Sequence, residues 1–233
     1  MKDIISEIRK SSLFYNATDQ EIRAFIQAHP CKIVEYNKNE CIITREETSK
    51  HIAVVLDGTL GIYSDSYYGG HTLIGIGSRH YLFGFIAMFY NQAHSITSLY
   101  CRGFCRIAYF NVPNGQTAVE FIRTTPPQIL SNAYEMLTKH IRDDFDRVHF
   151  VSSASVSVKL ARYLLHLRSE AGEDSFVLPM NRTELSNFLG VYRTSLSREI
   201  NRMIQKKIIS CTQNSVSILD PQSLIQIEIS SYE

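Results

Sequence analysis

Arg193, Thr194, Ser197, Arg198 and Asn201 are separated by steps of one and three residues, a spacing that gathers them on one side of an α-helix. Ser195 lies in the same stretch. Guanidinium forks bind phosphate, or guanine through O6 and N7, and hydroxyls donate or accept at a phosphate or a base edge. Leu196, Ile200, Met203 and Ile204 form the opposite, inner stripe, the one expected to be buried. From Asn181 to Ser210 there are six basic residues (Arg182, Arg193, Arg198, Arg202, Lys206, Lys207) and two acidic ones (Glu184, Glu199), an excess of four in a chain whose net charge is +1. Phosphate attraction needs such a local excess, because 24 Lys and Arg against 23 Asp and Glu create no whole-chain field.

A helix presents these groups only if its neighbours hold it. Asn181 followed three places later by Glu184 is an N-terminal capping pair for a first helix. Arg182, at its start, joins the candidate contacts. Small Ser186 sits where two helices must approach closely, and Gly190 permits the positive φ of a sharp turn. A second helix then starts near Tyr192 or Arg193, giving a helix-turn-helix whose second helix can enter a major groove. Ile208–Ser210 and Val216–Leu219 flank Gln213-Asn214-Ser215, a hairpin that would form a wing. Helical hairpins with a glycine turn also occur in proteins that bind no nucleic acid, and a basic helix can be merely solvated.

The rest of the chain has two other textures. From Ser12 to His29 a short amphipathic helix carries Leu13, Phe14, Ile22, Phe25 and Ile26, with Thr18 or Asp19 as its cap. Short β-type runs follow: Lys32–Tyr36, Cys41–Thr44, Ile52–Leu56, Leu60–Tyr63, Thr72–Ile76 and Ile107–Phe110. Turn signals separate them at Asn37-Lys38-Asn39, Asp57-Gly58, Tyr68-Gly69-Gly70 and Gly77-Ser78. Such spacing predicts a sandwich or a rolled antiparallel barrel. Pro126-Pro127 can open a helix but not continue one. After it Leu130, Tyr134, Leu137, Ile141, Asp144, Val148 and Val151 recur at alternating steps of four and three, the seam of a two-stranded coiled coil. A single amphipathic helix packed on its own domain would show a related pattern. Asp144 would face its own copy across a symmetric seam, where two carboxylates oppose association; in a register shifted by one, Phe145 is inside and Asp144 is solvated. Ser152 to Ser155 interrupts this helix. Another runs from Val156 to Ser169 and ends at Gly172, before a short strand at Phe176-Val177-Leu178-Pro179.

With 44% hydrophobic and 20% charged residues among 233, intrinsic disorder is excluded and two domains are expected. The longest apolar run, Leu82 to Tyr90, is far short of the roughly 20 residues that span a bilayer, so no membrane partner is expected. The first ten residues alternate charge with aliphatic side chains, unlike a signal peptide. Five scattered cysteines (Cys31, Cys41, Cys101, Cys105, Cys211) point to reduced thiols and the cytoplasm.

The run from Leu178 through Asn181-Arg182-Thr183-Glu184-Leu185 and Leu189-Gly190 to Ser195-Leu196-Ser197-Arg198 resembles the winged helix of the Crp/Fnr transcription regulators. The resemblance covers nearly the whole chain and implies an α+β fold. Its parts would be an N-terminal antiparallel β-roll (jelly-roll-like) at residues 1–125 that senses an effector, a long dimerisation helix at 126–152, and a C-terminal winged helix-turn-helix at 153–233. It implies a homodimer on double-stranded DNA at a roughly palindromic operator, under an unidentified small-molecule or redox signal, with RNA polymerase as a further possible partner. Thr194 stands where many members have a Glu that accepts from cytosine, so the half-site should differ from the common one.

Phe83-Gly84 resembles the start of the family's phosphate-binding cassette, and His94-Ser95 falls near its end. In cyclic-AMP-binding members a Glu follows the glycine and an Arg pairs with the phosphate; here Phe85 and His94 stand instead. Asp144 and Phe145 fall where such members place small hydroxyl residues against the adenine. These residues form the expected effector pocket, and cyclic AMP is not its expected ligand. Nor is an iron–sulfur cluster, since no cysteine precedes Cys31 and no C-x-x-C occurs. Cys101 and Cys105, four apart, share one face of a strand and read as buried small hydrophobes before a metal or redox pair. A cupin-like metal enzyme would need a His-x-His pair, which none of the eight histidines forms, so no catalytic or metal residue is assigned. A dimeric adaptor without DNA binding is the other alternative, and Arg193, Ser197 and Arg198 argue against it.

Overall fold

The computed structural model describes residues 2–44, 51–65, 71–85, 97–113, 115–153, 155–212 and 215–229. It forms two compact units, Met1–Ile141 and Arg142–Glu233.

In the first unit, helices α1 (Lys2–Ile8) and α2 (Asp19–Ala28) precede strands β1 (Cys31–Tyr36), β2 (Cys41–Ile43), β3 (His51–Asp65), β4 (His71–Gly77), β5 (Leu82–Phe83) and β6 (Ser98–Asn111). The strands pair antiparallel in the order β1-β6-β3-β4, with β2 added to β6 and β5 to β3. Thr18 caps α2 and exchanges hydrogen bonds with Glu21. The middle of the sheet, in β3 and β6, is buried on both faces, and the alternation of strand side chains sorts them. Ile52, Val54, Ala108 and Phe110 face the helices, whereas Ala53, Val55 and Ile107 face the interior of the roll. On the helical side Phe14, Phe25, Phe110 and Phe121 interlock with centroid separations between 5.3 and 6.5 Å.

Asp57-Gly58 is not a turn. Ile52–Leu56 and Leu60–Tyr63 belong to the single strand β3, whose register against β6 slips between Val55 and Asp57 and again between Gly58 and Leu60. Gly58 has φ +86°, and a Cβ there would meet the Phe104 carbonyl oxygen at 1.8 Å, so this bulge requires glycine. Likewise, Ile107–Phe110 is only the end of the 14-residue β6. The Tyr68-Gly69-Gly70 signal lies outside the described residues.

Helices α3 (Ala118–Thr124) and α4 (Pro127–Val151) complete the transition to the second unit. A reciprocal Thr117–Glu120 capping box opens α3, and Pro127 opens α4. Buried Asn132 of α4 donates to the carbonyls of Leu13 and Tyr15, tying the helix to the N-terminal turn.

The second unit adds α5 (Val156–Ala171), β7 (Ser175–Val177), α6 (Arg182–Phe188), α7 (Arg193–Gln205), β8 (Ile209–Thr212), β9 (Ser215–Ile218) and α8 (Pro221–Ile229). Its three strands pair antiparallel in the order β7-β9-β8.

Candidate nucleic-acid interface

The Asn181 side chain accepts from the N–H groups of Thr183 and Glu184, each at 3.0 Å, and the Glu184 carboxylate accepts from Asn181 N at 2.9 Å. This reciprocal box satisfies the orphan donors that open α6. Buried Ser186 donates to the Thr183 carbonyl and lets the neighbouring helix approach. Gly190 adopts φ +61°, and its N–H returns to the Asn187 carbonyl while Val191 N returns to that of Ser186. The chain reverses there and starts α7.

Leu196, Ile200 and Met203 anchor α7 in the interior. Ile204, expected on that stripe, is exposed, because at 100° per residue it falls on the helix flank. On the outward side Arg193, Thr194, Arg198 and Asn201 are exposed, and Ser195 and Ser197 are half-buried. The structure thus brings these six residues together on one element. Among the described residues Arg193 and Arg198 have no carboxylate within ion-pair distance. Arg202 differs: Glu199 takes its guanidinium fork through hydrogen bonds of 2.6 to 3.1 Å and raises its pKa above the ordinary arginine value. Arg182 is half-buried and lies beside Cys211 of β8; burial pushes that thiol's pKa up, and the guanidinium counteracts the rise. Tyr192, the N-cap of α7, makes no side-chain cap and is exposed, so the partial positive charge of this helix end faces outward. Sequence reasoning passed over Tyr192 as a possible contact; the lack of Ser, Thr, Asp or Asn at that cap was the available signal. Gln213 and Asn214, the wing turn, lie outside the described residues.

Of the residues in the expected effector pocket, Phe83 and Phe85 face different cores of the first unit. Phe83 lies inside the roll, 6.3 Å from Tyr81 and 6.2 Å from Tyr109 between centroids. Phe85 turns to the other core, where its ring meets Phe121 edge-on at 5.4 Å, because that face offers an aromatic partner. Gly84 between them has φ +86°. His94 and Ser95 lie outside the described residues, and Asp144 and Phe145 are exposed on α4. Cys101 and Cys105 are buried inside the roll and donate to the carbonyls of Tyr36 and Thr59. They stand opposite Leu60 and Gly58, so the bulge places the thiols side by side. Burial and the neighbouring Cys101 thiol push the pKa of Cys105 up to about 12.

Along α4, Tyr134 (71% exposed), Ile141 (57%), Phe145 (70%) and Val148 (62%) form an exposed apolar line. It passes through Phe145, as in the shifted register, with Asp144 exposed beside it. Leu130 and Val151 are half-buried, and Leu137 packs partly on the N-terminal core.

Residues 158–227 match the family described as the Crp-like helix-turn-helix domain, and residues 33–114 match the cyclic nucleotide-binding domain. A probable transcriptional regulator, flp, of Lacticaseibacillus casei is 26% identical over 220 residues, covering 91% of this chain and 93% of that protein. The nitrogen fixation regulation protein FixK of Bradyrhizobium diazoefficiens is 22% identical over 219 residues, covering 92% and 88%. In fold, the chain is similar to a CooA variant from Carboxydothermus hydrogenoformans, with TM-score 0.73, 15% identity and 93% of each chain covered. It is also similar in fold to FixK2 from Bradyrhizobium japonicum, with TM-score 0.66 and 16% identity, covering 85% of this chain and 97% of that one. Two domain families match in sequence order, and the relatives align along nearly their full length: the chain belongs to the Crp/Fnr family of transcription regulators.

Proposed function

We propose that the protein is a homodimeric transcription regulator that reads duplex DNA with α7 of each copy. The observation that carries this reading is the exposed side of α7, where Arg193, Thr194, Arg198 and Asn201 stand beside half-buried Ser195 and Ser197 on a helix anchored by Leu196, Ile200 and Met203. The outward N-terminus of the same helix adds a favourable end for a phosphate. Two copies related by a two-fold axis would meet half-sites about 34–36 Å apart, which makes the operator roughly palindromic. The exposed line through Tyr134, Ile141, Phe145 and Val148 supports α4 as the contact between copies. The signal would act on the N-terminal unit. Phe85, turned into a core against Phe121, supplies no carboxylate for a ribose, so cyclic AMP is not its expected form.

The test is selection of duplexes from a random-sequence pool by the whole protein, followed by Arg198→Ala. The parent should select a sequence with two-fold symmetry, and the variant should bind it more weakly by about 1–3 kcal/mol. Parental affinity in the variant would remove α7 as the reading element. An adaptor without DNA binding would select nothing and shift no duplex at low salt.

A further inference from the structure

Two cations of the second unit are buried, Arg162 and Lys159 of α5, and they are treated differently. Arg162 lies 3.8 Å from the Glu228 carboxylate and donates to the His149 carbonyl and the Ser152 hydroxyl. Lys159 is only 8% exposed and, among the described residues, meets no carboxylate. Its Nζ donates to the Leu189 carbonyl at 3.1 Å. Leu189 is the C-cap of α6, one residue before Gly190 and four before α7.

The surrounding carbonyls explain the choice. Those of Leu185, Ser186 and Asn187 are answered from within the turn, by the N–H groups of Leu189, Val191 and Gly190. The Leu189 carbonyl is answered by Lys159, from a different helix. A cation is favourable at this end of α6, where the helix carries partial negative charge. An aliphatic side chain could fill the same space, but it would leave an interior carbonyl unpaired beside a left-handed Gly190.

Resting on the reading that α7 meets DNA, we propose that Lys159 is a positioning residue for sequence recognition. Its ammonium fastens the turn between α6 and α7 to α5, and thereby sets the direction in which Arg193, Thr194 and Arg198 leave the protein. Lys159 itself touches no base or phosphate.

The experiment uses the full chain, the duplex selected by the parent and a scrambled duplex of equal length. The readouts are the ratio of the two affinities, the salt dependence of scrambled binding and the thermal midpoint. Lys159→Met should lower the affinity ratio about tenfold, with scrambled binding and its salt dependence unchanged, or else fail to fold. Lys159→Gln, whose amide can still donate to the Leu189 carbonyl, should stay folded within about threefold of the parental ratio. A folded Met variant with the parental ratio would overturn the proposal. So would a Gln variant that unfolds or loses the ratio, since the lysine would then serve the fold and not the turn. A parent that selects no sequence would remove the DNA reading itself, and this inference with it.

Discussion

Phe110 of β6 and Arg198 of α7 both sit in the middle of a patterned face, yet the two faces meet opposite fates. Around Phe110 three further rings from α2, α3 and the N-terminal turn close the surface completely. Around Arg198 the neighbours are hydroxyls, an amide and another guanidinium, and the face is left to solvent. The aromatic face gains its stability within the chain, through buried apolar area and edge-to-face geometry. The polar face gains almost nothing within the chain; its hydrogen-bonding capacity stays available to a partner. The contrast separates what folds the protein from what it offers to a partner.

That separation can be broken or sharpened by substitution, starting with the largest effect. Phe110→Ala should destabilise the protein by about 3–5 kcal/mol, read by chemical denaturation. A loss under 1 kcal/mol would mean that the four rings do not act as one core. Arg193→Ala should leave the thermal midpoint unchanged and weaken binding to the selected duplex by about 1–3 kcal/mol; a shifted midpoint with intact binding would reverse the comparison. Asn181→Ala removes the α6 cap and should lower stability by about 1 kcal/mol, measured in the same denaturation series. Phe145→Ala should weaken self-association by about 1 kcal/mol, because it removes an exposed ring from the apolar line of α4. Unchanged association by sedimentation would dismiss that line as the contact between copies.

The smallest effect is a pH dependence. His29 is buried between Phe25 and Phe121, with ring centroids at 4.9 and 5.0 Å. Desolvation holds its pKa below the ordinary value of 6.5, although the Asn111 backbone works in the opposite sense. The unfolded chain therefore binds a proton that the folded chain refuses. This contribution to stability is complete above pH 6.5 and is lost as pH falls below it toward the folded value. Denaturation midpoints should decline over that window in the parent and decline less in His29→Leu; parallel curves would clear His29 of the effect.

The helix-turn-helix was legible because its signals are local: a cap three residues from its partner, a glycine at the reversal, a stripe of period 3.6. Pro127 announced α4 in the same way. The stripe misled only at Ile204, where a helix flank looks apolar in sequence and is wet in space. The β-roll was less legible, since its irregularities answer to distant strands. Gly58 reads as a turn until Phe104 of β6 is seen pressing on it, and the start of β6 is masked by Arg102-Gly103-Phe104 at the bulge. Phe85 reads from its sequence neighbours as part of a ligand pocket, and its packing on Phe121 depends on an element 36 residues away that no local signal reveals. Helices α1 and α3 went unread, although Thr117 and Glu120 carry the same capping signature as Asn181 and Glu184.

If α7 reads DNA as proposed, the Glu199–Arg202 fork would give it an internal brake on indiscriminate attraction. A cation already engaged by its own carboxylate releases few counterions when a polyanion arrives, so tallying basic side chains exaggerates how hard this surface grips arbitrary duplex. The protein should let go of irrelevant stretches quickly, and its residence on a chromosome should be governed by the fit of Arg193 and Arg198 to particular bases.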